Sequence, residues 1–182
     1  MSMPNRLWQV AGIMLSITGM LVAVALAGSG PGYRGPFGFG SVPSEADITA
    51  RDIAVGPDGT GLPPGRGTVS AGEQVYLAKC AACHGPTGTE GPRDKLVGER
   101  LPVKTIGSFW PYATTVFDYI RRAQPFDRPG SLTPEEVYAV TAWLLFRNQI
   151  IAANQVIDAT TLPAIRMPNR EGFVPDPRPE VE

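Results

Sequence analysis

Residues 80–84 read Cys80-Ala81-Ala82-Cys83-His84, with Gly85 directly after, and this run holds both cysteines and the single histidine of 182 residues. A C-x-x-C-H run is the attachment signature of c-type haem. The two thiols add across the vinyl groups of the porphyrin, and the adjacent imidazole becomes the proximal iron ligand. The spacing has a mechanical basis, because one helical turn carries both sulfurs and the imidazole to the same porphyrin edge. Two blander readings compete. A zinc site takes about four ligands, and no further Cys or His exists to complete one. A bare redox C-x-x-C belongs near a βαβ pattern, which this sequence does not display. One covalent haem c held by Cys80, Cys83 and His84 is therefore the expectation.

Composition narrows the function. The 16 basic residues stand against 17 acidic ones, which supplies neither the basic footprint of a nucleic-acid binder nor a strongly acidic tail. Covalent haem attachment takes place outside the cytoplasm, so an export segment is required. Residues 7–27 read LWQVAGIMLSITGMLVAVALA, an uncharged apolar run preceded by Arg6. Ala25-Leu26-Ala27 before Gly28 matches the small-residue end of a cleaved signal. The run is also long enough for a membrane anchor, with Gly12 and Ser16 as a small-xxx-small pair. Gln9, Ser16 and Thr18 dilute it and favour the signal. Either way, the remainder is expected in the periplasm.

The chain divides into residues 1–27 as signal or anchor, 28–67 as an extended arm, 68–174 as a haem domain and 175–182 as a tail. In the arm, 17 of 40 residues are Gly or Pro, a density that suppresses regular structure. Tyr33, Phe37, Phe39, Ile48, Ile53, Val55 and Leu62 nonetheless provide apolar anchors, so the arm is expected to lie on its own domain or on a partner. Ser44 to Asp47 reads as a short helix start, and Pro57-Asp58-Gly59 as a turn. In the haem domain, Ser70 with Glu73 forms a capping box. Val75, Leu77 and Ala78 then give the helix leading to Cys80 an apolar face. Pro92 stands where a backbone carbonyl would accept the second nitrogen of His84. Residues 112–123 carry Val116, Tyr119 and Ile120 at helical spacing. Thr133-Pro134-Glu135-Glu136 opens a long apolar helix. The fold class is all-α.

The sixth ligand follows by counting. With one histidine, bis-His ligation within the chain is impossible, and methionine is the usual alternative. Of Met1, Met3, Met14, Met20 and Met167, only Met167 lies beyond the export segment. It sits in a proline-bracketed loop, Pro163 to Pro168, suited to holding a thioether rigidly. A methionine that merely fills a core gap, a vacant position or a lysine ligand stay open on residues alone.

Several blocks are more specific than the haem motif. They are Pro57-Asp58-Gly59 with Leu62-Pro63, the CAACHG run, and Phe109-Trp110-Pro111-Tyr112-Ala113-Thr114-Thr115. Further on come FDYIRRA over 117–123, Met167-Pro168-Asn169-Arg170 and Gly172-Phe173. On these the chain resembles the monohaem cytochrome c subunits of sulfite dehydrogenase and sulfane dehydrogenase systems over residues 33–173. The resemblance implies a class I cytochrome c fold and axial ligation by His84 and Met167. It also implies a molybdenum-cofactor dehydrogenase as partner, with the arm wrapping that catalytic subunit. Electrons would arrive one at a time and leave to a downstream cytochrome or oxidase. A peroxidase-like haem enzyme needs an open distal position, and a haem-based ligand sensor needs a labile ligand and an output domain. Met167 argues against the former, and no output domain is visible in the sequence.

Overall fold

Capping chemistry sets the element boundaries in a computed structural model that describes residues 40–98 and 102–178. The export segment read over 1–27, the first part of the arm over 28–39 and residues 179–182 of the tail lie outside the described residues. In chain order the elements are α1 (Glu45–Arg51), β1 (Arg66–Thr68), α2 (Val69–Lys79), α3 (Ala81–His84), α4 (Ile106–Phe109) and α5 (Ala113–Ala123). They are followed by α6 (Pro134–Arg147), β2 (Val156–Asp158) and a 3-10 turn (Leu162–Ala164). The all-α expectation holds, with one antiparallel pair of short strands added, Gly67 opposite Ile157. Among the described residues no helix is long and apolar enough to cross a membrane.

Two helix starts match the sequence. Ser44 caps α1 reciprocally with Asp47, and Thr133 caps α6 reciprocally with Glu136, with Pro134 in the first turn. The start of α2 differs. Thr68, not Ser70, is the cap, and its hydroxyl accepts from Ala71 N at 3.2 Å. Thr68 ends β1 in extended conformation, so the strand pairing places the first capping oxygen two residues earlier than the Ser70/Glu73 box.

The buried face of α2 also differs from the expected one. Val69, Gly72 and Tyr76 are buried, whereas Leu77 is 49% exposed and Ala78 faces solvent. The reason is the crossing with α6. A Cβ on Gly72 would fall on the Ala139 carbonyl and stand 2.8 Å from Trp143 Cβ, so only a hydrogen fits between the two backbones. Tyr76, one turn on, stacks on Trp143 with ring centroids 3.9 Å apart. Lys79 Nζ meets Glu136 Oε1 at 2.6 Å and ties the end of α2 to the first turn of α6. Hydrogen bonding from Lys79 holds the Glu136 carboxyl below the usual range. That contribution is present at neutral pH and is lost only as pH falls through the lowered value.

Helix α6 is buried from Val137 through Leu145, as a helix at the centre of a core should be. Against it, α5 buries Ala113, Val116, Phe117 and Ile120. Tyr119, expected on that face, is 48% exposed and sets its ring edge-on to Trp110 instead.

The compact unit holding the haem motif begins at Ile53, so residues 53–67, read as arm, are integral to it. Side chains of α5 and α6 grip their backbone. Asp118 Oδ1 accepts from Val55 N at 3.0 Å, and Arg121 Nη1 donates to Ile53 O at 3.1 Å. Tyr138 OH donates to Pro63 O at 2.9 Å. The Pro57-Asp58-Gly59 turn forms as read, with Asp58 accepting from Thr60 N at 2.9 Å. The preceding unit, from Met1 to Asp52, contains α1, which buries no residue.

The Gly72 contact makes a direct prediction. Gly72→Ala forces α2 and α6 apart and should lower stability by about 1–3 kcal/mol, read as a lower urea midpoint of the haem-loaded protein. An unchanged midpoint would show that the helices do not meet at this residue.

Candidate haem-binding site

Helix α2 ends by delivering Cys80, whose N–H still bonds to Tyr76 O at 2.8 Å. The next turn, α3, is closed by Cys83 N and His84 N, which both donate to Cys80 O at 3.1 and 3.0 Å. The motif thus folds as one turn of backbone running from Cys80 to His84. Neither cysteine is in a disulfide; Cys80 is partly buried and Cys83 exposed. Burial pushes the Cys80 thiol up to about 11, so at neutral pH it is the protonated thiol.

The imidazole is oriented by a carbonyl. His84 Nδ1 lies 2.8 Å from Asp94 O. A carbonyl only accepts, so Nδ1 carries a proton, and in the neutral ring Nε2 then keeps the lone pair a metal requires. This corrects the expected acceptor. Pro92 is not it, because Arg93 N donates to Cys83 O at 3.0 Å, and that bond turns the chain so that the Asp94 carbonyl faces the ring.

The loop that makes this return is tightly packed. A Cβ on Gly91 would collide with Cys83 O and stand 2.5 Å from Gly85 N. Tyr76 is fully buried, its OH donating to Gly85 O at 2.8 Å. Burial raises its phenol to about 12, so it acts as a neutral donor. Tyr76 was legible only as one more residue of α2; nothing local in the sequence ties it to Gly85.

Met167 follows the 3-10 turn and is 1% exposed, within the same core that Cys80 and Ala81 pack against. Its loop is clamped to the junction of α4 and α5. Arg166 bridges Tyr112 in antiparallel fashion, and Asn169 Nδ2 donates to Phe109 O at 2.7 Å. The Arg170 guanidinium lies 4.0 Å from the centre of the Tyr112 ring, and Phe173 meets Phe109 edge-on. The two blocks 109–115 and 167–173, far apart in sequence, are therefore two halves of one contact.

Comparison with known proteins agrees with this arrangement. Residues 67–144 match the family described as cytochrome c oxidase, cbb3-type, subunit III. The crystal structure of the sulfane dehydrogenase SoxCD from Paracoccus pantotrophus contains a chain 39% identical to this one, with a TM-score of 0.71. The match covers 80% of this chain and 75% of that one. No curated protein matches the sequence. The chain belongs to the family of cytochrome c subunits of sulfur-oxidising dehydrogenases.

As a cytochrome c it has the class I fold, in which α2 and α6 cross beside the haem motif, and it is an electron-transfer protein rather than a catalyst. A cytochrome c domain implies haem c, and the donor set fits that group. His84 has its Nδ1 engaged by Asp94 O, which leaves Nε2 for the iron, two uncrosslinked thiols stand on the same turn, and Gly91 leaves no room for a side chain where the loop passes the motif.

Gly91→Ala should push the returning loop off Cys83. Haem-loaded yield should fall several-fold, and stability of the loaded fraction by about 1–3 kcal/mol, measured by haem-to-protein absorbance ratio and urea unfolding. Native yield and midpoint would contradict the packing described.

Proposed function

We propose that this cytochrome carries a single covalent haem c, attached through Cys80 and Cys83 and ligated by His84 and Met167. It takes electrons one at a time from a molybdenum-dependent sulfite or sulfur-compound dehydrogenase subunit. It hands them on, in the periplasm, to a downstream cytochrome or oxidase. The observation that carries the reading is the likeness to a chain of a sulfane dehydrogenase over most of both chains. When bound, the haem supplies a one-electron couple, and a methionine ligand raises its potential by favouring ferrous iron.

The chain's own residues do the rest. Cys80 and Cys83 tether, His84 is held in one tautomer by Asp94 O, and the Met167 loop is clamped on Phe109 and Tyr112. A buried thioether on so braced a loop supports a closed sixth position, which suits outer-sphere electron transfer and not peroxide chemistry. Residues 7–27 provide export, with cleavage after Ala27 or retention as an anchor.

Ligation is tested by absorption. The ferric protein should show the weak long-wavelength band of methionine–iron ligation, and Met167→Ala should lose it, fall in potential and bind carbon monoxide when reduced. Rapid carbon monoxide binding by the native ferrous protein would sink the assignment. The partner is tested by affinity purification from the native host. A molybdenum-containing subunit should co-purify, and deletion of residues 28–52, ahead of the compact unit, should reduce recovery at least about tenfold with the haem spectrum intact. Equal recovery would rule out the arm as the docking element.

A further inference from the structure

We infer that Asn148 is a positioning residue for His84, acting through the backbone of residues 94–98; the inference rests on the reading of His84 as iron ligand. Asn148 closes α6 and is 5% exposed. Its Nδ2 donates to Leu144 O at 2.8 Å and to Leu96 O at 3.1 Å, and its Oδ1 accepts from Gly98 N at 3.0 Å. Both protons and one acceptor site of the amide are used. A flipped amide would set Oδ1 against two carbonyl oxygens, so the orientation is chemically determined.

A helix end needs only the Leu144 contact. The other two bonds reach residues 50 and 52 positions earlier in the chain, and they hold that segment by a carbonyl and an N–H two residues apart. The seat is shaped for the amide, since a Cβ on Gly107 would stand 2.5 Å from Asn148 Oδ1.

The held segment is the one that orients the haem ligand. Asp94, whose carbonyl accepts the Nδ1 proton of His84, lies between two sets of anchors. On one side Arg93 N is bonded to Cys83 O at 3.0 Å. On the other, Leu96 N and Val97 N donate to Gly88 O at 2.8 and 3.2 Å, while Asn148 grips Leu96 O and Gly98 N. The side chains of Asp94 and Lys95 are exposed, so packing does not place this carbonyl; the flanking anchors do. Ile106 N also donates to Leu96 O at 3.2 Å, and the Thr105 hydroxyl to Gly98 O; Asn148 is the anchor that ties the segment to the end of α6.

The consequence is electronic. A ligating imidazole that donates a strong Nδ1 hydrogen bond is a more basic ligand, which favours ferric iron. Loosening residues 94–98 weakens that bond and shifts the couple towards ferrous. Asn148 therefore acts on the redox poise from the end of α6 through its bonds to Leu96 O and Gly98 N.

The experiment uses the haem-loaded protein and compares the native chain with Asn148→Asp, Asn148→Leu and a core control, Val140→Ala, about two turns earlier in α6. Readouts are the midpoint potential and the solvent exchange of the His84 Nδ1 proton by NMR. Asn148→Leu should shift the ferrous-to-ferric ratio about tenfold towards ferrous, equal to about 59 mV for one electron, and speed ring-proton exchange at least about tenfold. Asn148→Asp keeps the bond from Gly98 N and loses the two donated ones, so it should speed ring-proton exchange in the same direction by less; because its new charge itself favours ferric iron, the exchange rate alone decides the matter if Asn148→Leu takes up no haem. Val140→Ala should lose stability with neither readout moved. Asn148 variants that match this control overturn the inference. Retention of the native haem spectrum in His84→Ala would instead overturn the ligand assignment beneath it.

Discussion

The close crossing of α2 over α6 is the constraint from which the rest follows. With Gly72 against Ala139 and Tyr76 stacked on Trp143, the end of α2 has one possible position relative to the core. The haem motif begins at that end, so the crossing fixes where both thiols and the imidazole stand before any loop is considered. Burial of an aromatic pair of this size contributes a few kcal/mol beyond what the unfolded chain retains. The same Tyr76 then reaches Gly85 through its hydroxyl, so one residue both locks the helices and pins the exit from the motif.

From this frame the backbone does most of the chemical positioning. The imidazole is oriented by a carbonyl, and that carbonyl is held by N–H groups bonded to Cys83 O and Gly88 O. Two side chains join the ladder farther along, Asn148 at Leu96 O and Gly98 N and Thr105 at Gly98 O. Such an arrangement suits an electron carrier.

Elsewhere, polar side chains grip bare backbone. Asp118, Arg121 and Tyr138 bind the peptide groups of residues 53–63, and Asn169 binds that of Phe109. Segments rich in Gly and Pro cannot satisfy their own peptide groups in helices or strands. Helix side chains satisfy them instead, and the irregular stretch becomes part of the fold rather than a linker.

The sequence by itself determined the cytochrome c motif, the haem c it implies and the all-helical class, because these reside in contiguous residues. Cys80 to His84 is one turn of chain, the Thr133 cap is local, and a count of histidines and methionines needs no geometry. Several things were decided only by tertiary structure. Asp94 rather than Pro92 receives the imidazole proton, because an N–H from Arg93 turns the loop. Thr68 rather than Ser70 starts α2, because a strand ends there. Tyr76 and Gly72 rather than Leu77 and Ala78 face inwards, because α6 passes on that side. Asn148, Phe109 and Tyr112 acquire their roles from partners about fifty or more residues away, and hydrogen bonds at that separation leave no periodicity or spacing for a sequence to display.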